Sequence, residues 1–388
     1  MIPLAAAGFF EQYDVALLTL AATDISEGLG VSIGAFGVGV AIIRLGSLGG
    51  IPFMRLADRT GRRTLLIVSL AAFTLLTGLT ALAWSLAAFV VLQTLARVFL
   101  ATEHNLASLV IAEEVRPDRR GAALSLMGFI ATTGPAAVAV LLIFVPLTPL
   151  DWRIFYVFAL VPLAIVAWLR RRLTETKAFE VAAAEQRIQP SLRPHVPAEY
   201  RPDFTRICLF VSGFGLVLTP FFLFGADLAQ DEYGWKEEFS LIVLASGVAT
   251  IGGFYVGGRL SDRIGRRTAL ATGHVLTAAA TIFVFSEVKL LFVPGFFLAV
   301  GAYACLQAVV LAYLAELFPT ELRATLTAFV ISAQVVAGSI GLAIVAGLAE
   351  LLDDTSVPML VLGVLLVPLV LLLRNLPETA GRDVIALR

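Results

Sequence analysis

Apolar residues run along this chain in stretches of about twenty, the length of a membrane-spanning helix, broken by short polar segments rich in Arg, Gly and Pro. The pattern predicts spans at roughly 2–24, 33–54, 63–84, 87–113, 121–146, 152–170, 204–228, 237–258, 267–287, 290–316, 323–349 and 357–374. In hydrocarbon every backbone N–H and C=O must be satisfied within the segment, so runs of this kind predict helices. The expected fold class is an all-α membrane protein of twelve transmembrane helices. Composition agrees. A hydrophobic fraction of 59% and a mean hydropathy of +0.91 lie far above the ordinary globular range.

The polar breaks carry a repeat. MRLADRTGRR, Met54 to Arg63, returns as GRLSDRIGRR, Gly258 to Arg267, and Asp58 and Asp262 lie 204 residues apart (262 − 58). Gly61 and Gly265 suit a tight reversal at positive φ. Two further pairs keep nearly the same offset. EEVRPDRRG (Glu113 to Gly121) matches ELFPTELRA (Glu316 to Ala324), and LTET (Leu173 to Thr176) matches LPET (Leu376 to Thr379). Three matched offsets show an internal duplication.

Between the copies, Arg170 to Arg206 changes composition abruptly, with Arg170, Arg171 and Arg172 followed by Pro190, Pro194, Pro197 and Pro202. Prolines so spaced disfavour helix and suit a connector. A short surface helix is expected before them, near 176–186. The expected domains are therefore an N-terminal six-helix bundle (1–170), a cytoplasmic linker (171–203) and a C-terminal six-helix bundle (204–388).

Charge sets the expected orientation. The breaks bearing Arg55, Arg59, Arg62, Arg63, Arg116, Arg119, Arg120, Arg259, Arg263, Arg266, Arg267 and Arg323, with Arg374, Arg382 and Arg388 in the tail, fall on one side of the membrane. The opposite breaks hold only Arg153, Lys236 and Lys289. The positive-inside rule then puts both termini in the cytoplasm. Residues 2–24 are no signal peptide, because Glu11 and Asp14 interrupt the apolar run and no basic region precedes it. The chain begins almost inside its first span, as it would if a cytoplasmic leader preceded it.

The two decapeptides resemble the loop 2–3 and loop 8–9 signature of the major facilitator superfamily. The accompanying acidic motifs resemble its sugar-porter and metabolite:proton-symporter branches. That resemblance implies two six-helix domains around a central substrate site, in a multi-pass protein of the plasma (inner) membrane. It also implies a conformational latch. Asp58 would face the start of span 11 near Thr320, and Asp262 the start of span 5 near Asp118. Glu114, Arg120 and Glu175 would join Arg62 or Arg63, and Glu316, Arg323 and Glu378 would join Arg266 or Arg267. Exposed ion pairs contribute only ~0–1 kcal/mol each, so such a network biases an equilibrium rather than holding the fold. The first signature departs from the family pattern at Met54, where glycine is usual. Span 5 carries Gly134-Pro135 but has Val138 and Ala139 where the antiporter signature has glycines, which favours symport over drug:proton antiport.

Ionisable residues at bilayer depth are costly and mark functional sites. Five stand out, all in the first half: Glu11, Asp14, Arg44, Arg97 and Glu103. Asp14 lies ten residues before Asp24, hence about 15 Å below the outer surface, near the midplane. Glu11 and Asp14 are i, i+3 and share a helix face. Arg97 and His104, seven apart, are nearly eclipsed, with Glu103 about a third of a turn away. Two arginines and three carboxylates leave one excess negative charge, and burying it is expensive, so one carboxylate carries a proton for part of a cycle. Asp14 or Glu103 is the favoured proton site, with Glu11 alongside and His104 as a relay. Arg44 and Arg97 are candidates for an anionic substrate. The same pattern also suits a self-satisfied ion network that only specifies packing. By resemblance, Arg97 matches the span 4 arginine of proton-coupled members, and FFEQYD the acidic span 1 patch of aromatic-acid and metabolite symporters.

Second-half spans offer neutral groups instead: Tyr255, Tyr303, Gln307, Gln334 and Ser332, with Phe214, Phe221, Phe222 and Phe224 around Pro220. Tyr255, Tyr303, Gln307 and Gln334 are the expected hydrogen-bonding substrate contacts. Pro220, Gly213 and Gly215 are expected to let span 7 bend. His274 reads as structural.

The expected function is proton-coupled symport of a small organic metabolite, an organic anion favoured, by alternating access. A drug:proton antiporter, a sugar carrier and a non-transporting sensor are the alternatives. No nucleophile–base pair suggests an enzyme. Two cysteines, Cys208 and Cys305, both in apolar runs, form no disulfide framework. No metal-ligand spacing or nucleic-acid patch is present in the sequence. The expected partners are therefore the substrate, protons and lipid, with no cofactor beyond the proton gradient, for a functional monomer.

Overall fold

A computed structural model of the chain describes residues 2–50, 52–53, 56, 61–114, 130–145, 148–170, 196–318 and 320–380. The regular structure among them is helical. The helices are α1 (Ile2–Leu20), α2 (Ala22–Leu29), α3 (Ile33–Leu45), α4 (Arg62–Thr80), α5 (Leu86–Glu114), α6 (Thr133–Phe144) and α7 (Ile154–Arg170). They continue with α8 (Arg201–Asp227), α9 (Lys236–Ile264), α10 (Arg266–Val284), α11 (Lys289–Leu317), α12 (Thr320–Leu352) and α13 (Ser356–Leu366). Every one of the twelve predicted spans holds one of them. Seven described helices, some with their short continuations, are each long and apolar enough to cross a membrane alone.

Boundaries depart from the sequence pattern where polar residues extend a helix beyond its apolar run. Span 1 breaks at Ala21 and continues as α2, which carries Asp24 and Glu27 and ends at Gly30 with φ 68°. The chain then turns by 110° into α3, whose first turn is capped by Ser32 Oγ accepting from the Ala35 N–H at 3.1 Å. In the second signature the reversal is a single residue. Helix α9 runs on through Asp262 to Ile264, Gly265 turns at φ 93°, and α10 starts at Arg266. Gly61 takes φ 97° immediately before α4.

The chain forms two compact units, Met1–Leu192 and Arg193–Arg388. Each has the same internal pairing. In the first unit α1 packs on α6, α3 on α5, and α4 on α5 and α7; in the second α8 packs on α12, α9 on α11, and α10 on α11 and α13. The duplication read from three motifs is thus a duplication of helix contacts. Small residues permit the closest of these. Span 2 tightens to 3₁₀ geometry over Gly46–Gly49 where α5 crosses it, and a Cβ on Gly46 would stand 2.7 Å from the Thr94 carbonyl oxygen. Close backbone approach of this kind is how helices associate where burial from lipid gains little. Many large apolar side chains stay exposed, and Trp84, in the turn between α4 and α5, is 82% exposed, as interfacial tryptophans are.

Helix α8 continues through Pro220, and its irregular stretch is a π-helical turn at Leu228–Glu232. Gly213 and Gly215 permit close contact, since a Cβ on Gly213 would run into Leu369 and one on Gly215 into the Gln334 carbonyl.

Candidate functional site

The first unit gathers its buried charge around Arg97, which α5 carries past the middle of α1. One guanidinium nitrogen, Nη1, donates to Asp14 Oδ2 at 2.9 Å, and Nη2 donates to Glu11 Oε1 at 3.0 Å. The i, i+3 spacing of the carboxylates aims both at one side chain, and Arg is suited to this because its planar fork holds two acceptors at once. Asp14 is 5% and Arg97 7% exposed. Glu11 Oε2 and Arg97 Nε are buried without a hydrogen-bond partner among the described residues. His104 and Arg44 are near enough for their charge to act on Glu11. Glu103 is wholly buried farther along α5. The structure therefore assembles Glu11, Asp14 and Arg97 into one contact cluster with Arg44 and His104 beside it.

Sequence reasoning passed over two tyrosines at this site. Tyr13 donates its hydroxyl to the Phe155 carbonyl at 2.6 Å, tying α1 to α7. Tyr156 follows in α7, buried against Phe89 and Trp152. Tyr13 had a signal, its place between Glu11 and Asp14; nothing local marks Tyr156.

In the second unit Tyr303 and Gln307 come together on α11, Gln307 Nε2 donating to the Tyr303 hydroxyl at 3.2 Å. The Tyr303 ring stacks on Phe214 at 6.0 Å and meets Phe222 edge-on at 6.4 Å. Gln334, half-buried on α12, adjoins Gly215 of α8. Tyr255 does not join them. It is 60% exposed on α9 with the Arg259 guanidinium 4.1 Å above its ring, an arrangement that occupies the ring face with a neighbouring cation. His274 is buried and lies 4.4 Å from the Phe210 ring, as expected of a core histidine.

The signature end of the second unit is a built ion network. Arg266 holds Glu316 through two bonds, Nε to Oε2 at 3.0 Å and Nη2 to Oε1 at 2.7 Å, and pairs with Asp262 at 2.7 Å. Thr379 Oγ1 donates to Glu316 Oε2 at 2.7 Å. Glu378 plays another part than expected: it accepts from the backbone N–H groups of Arg266 (2.8 Å) and Arg267 (3.1 Å), not from their side chains. It is a remote cap on α10, placed where two orphan donors and the helix dipole favour an anion. Arg267 turns instead to the Arg374 carbonyl at 2.8 Å. In the first unit Arg62 and Arg63 open α4. Asp58, Arg120 and Glu175, the side chains of Glu114 and Arg323, and the expected surface helix near 176–186 lie outside the described residues.

Burial alone would raise the Glu378 carboxyl, but the N–H groups of Ala380, Arg266, Arg267 and Thr379 hold it below the ordinary carboxylate range. A depressed carboxylate adds stability above its unfolded value near ~4.3, and that stability is lost as pH falls through the lower folded value. Glu378→Ala is expected to cost about 1–2 kcal/mol, the usual loss for a cap. It should speed hydrogen exchange in the first turn of α10 at neutral pH. Unchanged exchange there would remove the capping role.

Comparison with known proteins agrees with this architecture. The sequence profile of the Major Facilitator Superfamily matches residues 4–255 and 207–386. A protein of Cupriavidus pinatubonensis named as a probable 4-methylmuconolactone transporter is 25% identical over 351 residues, covering 88% of this chain and 80% of the relative. The 3-(3-hydroxy-phenyl)propionate transporter of Escherichia coli is 39% identical over 140 residues, 36% of this chain and 33% of the relative. Among solved structures, a D-xylose-proton symporter superposes with a TM-score of 0.81 at 17% identity, covering 98% of each chain. The twelve spans, the doubled helix pairing and the doubled signature are thus those of a multi-pass membrane transporter, not an enzyme, and this chain belongs to the Major Facilitator Superfamily.

Proposed function

We propose that this transporter is a proton-coupled symporter of a small organic metabolite, an organic anion favoured, working by alternating access. The observation that carries the reading is Arg97 held between Glu11 and Asp14 in a nearly dry setting. With both carboxylates ionised the trio carries one excess negative charge, which a low-dielectric site disfavours. A proton on Asp14 neutralises the excess and releases Arg97 Nη1. An incoming carboxylate can then take the freed guanidinium edge, so proton and anion enter as a pair. Arg44 adds a second positive charge nearby. Glu103 and His104, on the same helix as Arg97, extend the proposed proton path.

Neutral recognition would come from Tyr303, Gln307 and Gln334 of the second unit. The relative named for a propionate is consistent with an acidic cargo. Asp262, Arg266, Glu316 and Glu378, with Asp58, Arg62, Arg63, Glu114, Arg120, Glu175, Arg267 and Arg323, are proposed to bias the conformational equilibrium.

The test is made on purified protein in liposomes, following internal pH as carboxylates, sugars and lipophilic cations are added outside. Symport predicts internal acidification with one class of carboxylate. Tracer flux with no proton movement for any compound would overturn it, leaving a uniporter with structural charges.

A further inference from the structure

Tyr156 is only 1% exposed, yet its hydroxyl has no hydrogen-bond partner among the described residues. Its ring is fixed edge-on between Phe89 at 6.0 Å and Trp152 at 5.9 Å. The residue before it, Phe155, accepts the Tyr13 hydroxyl through its carbonyl. That bond pins α1 to α7 one residue from Asp14 on one side and one residue from Tyr156 on the other. Asp14 and Tyr13 are the ionisable groups close enough to act on the Tyr156 hydroxyl. A buried hydroxyl left unpaired is uncommon and asks for a partner in another state of the molecule.

We propose that Tyr156 is a positioning residue for the proton on Asp14, its hydroxyl taking up the Asp14 carboxyl when the Arg97–Asp14 pair opens. The ring is already clamped, so the movement falls to the Asp14 side chain and the hydroxyl. While Asp14 is protonated, the tyrosine oxygen accepts from the carboxylic acid. Once the proton has left, the hydroxyl donates to the carboxylate. Tyr156 keeps its own proton throughout. At rest the charged form of Asp14 is bonded to Arg97 and not to Tyr156, so the hydroxyl bond is gained by the open, protonated form and helps hold the proton on Asp14.

The groups facing this carboxylate come from several elements. Glu11 and Tyr13 lie on α1 and Arg97 on α5, while His104 of α5 and Arg44 of α3 act on Glu11 beside it. Helix α6, which also packs on α1, contributes no titratable side chain over Thr133–Phe144. Tyr156 is the neutral hydroxyl donor in that set besides Tyr13, whose hydroxyl is already engaged.

The inference rests on Asp14 as the proton site, and the experiment separates the two. Infrared spectra of the reconstituted protein are recorded through a pH titration, and the protonated-carboxyl band of Asp14 is assigned by its loss in Asp14→Asn. Tyr156→Phe keeps the ring and removes the hydroxyl. Its Asp14 band is expected to vanish at a pH about one unit lower, a tenfold loss in proton affinity. Tyr13→Phe, which loses only the bond to Phe155, should shift the band much less. An unmoved band in Tyr156→Phe would overturn the role of Tyr156 alone. An equal shift in both variants would also overturn it, as the mark of a loosened α1–α7 seam. No titrating Asp14 band in any protein would overturn the proton-site reading, and Tyr156 with it.

Discussion

Asp14→Asn is expected to abolish uphill accumulation of substrate while leaving substrate exchange across the membrane intact. Asparagine keeps the shape of the side chain and an oxygen for Arg97 to bond, so the α1–α5 contact persists. What it removes is the second negative charge. Arg97 and Glu11 then form a neutral pair, and no excess charge remains to draw in a proton. In liposomes with an inward proton gradient, the native protein should concentrate an anion about tenfold per pH unit for each proton carried. The variant should stop at equal concentrations inside and out, although labelled substrate still exchanges at a measurable rate. Loss of both activities would indicate a broken fold rather than lost coupling. Undiminished accumulation in Asp14→Asn would move the proton elsewhere, and Glu11→Gln and then Glu103→Gln would be the variants to examine. Asp14 is preferred over Glu11 on burial, because its side chain is 7% exposed against 19% for Glu11, and the drier group gains more from a proton.

Much of the architecture was legible because a bilayer leaves little choice. A run of about twenty apolar residues must be a helix there, and the matched motifs announced two equivalent halves. The sequence also put Glu11 and Asp14 on one face, a consequence of spacing alone. It offered no way to choose the single guanidinium that meets both, since Arg97 stands 83 residues from Asp14 and 86 from Glu11. Tyr156 was illegible for the same reason: its importance lies in a tertiary neighbour. Tyr255 differs because depth along a helix says nothing about which neighbours a residue takes, and on α9 that ring is exposed with Arg259 over its face. Glu378 misled differently. A carboxylate near an arginine pair reads as a salt bridge, but a helix start offers backbone donors that compete for the same oxygens, and here they win.

Glycines were legible as residues and not as purposes, and the second large effect follows from one of them. Gly341→Ala is expected to destabilise the second unit by about 3 kcal/mol or more, the upper range for overpacking. Pro220 has no N–H to give the Leu216 carbonyl four residues before it. Gly341 of α12 lies against that oxygen, so close that an added Cβ would run into it. Backbone is what the new methyl meets, and no rotamer change can move it aside. Neighbouring contacts tighten the same seam, since a Cβ on Gly338 would strike Thr219 Oγ1 and one on Gly215 the Gln334 carbonyl. The helices must therefore part, and with them the α8–α12 contact on which Gln334 is placed. Gly347→Ala is the matched control on the same helix: nothing lies within 4 Å of its added Cβ, so it gains only the helix propensity of alanine, about 1 kcal/mol. Thermal unfolding of the detergent-purified variants should place Gly341→Ala well below the native protein and Gly347→Ala at or above it. Equal midpoints for the two would show that the seam yields, and that the proline-freed carbonyl does not fix how closely these helices cross.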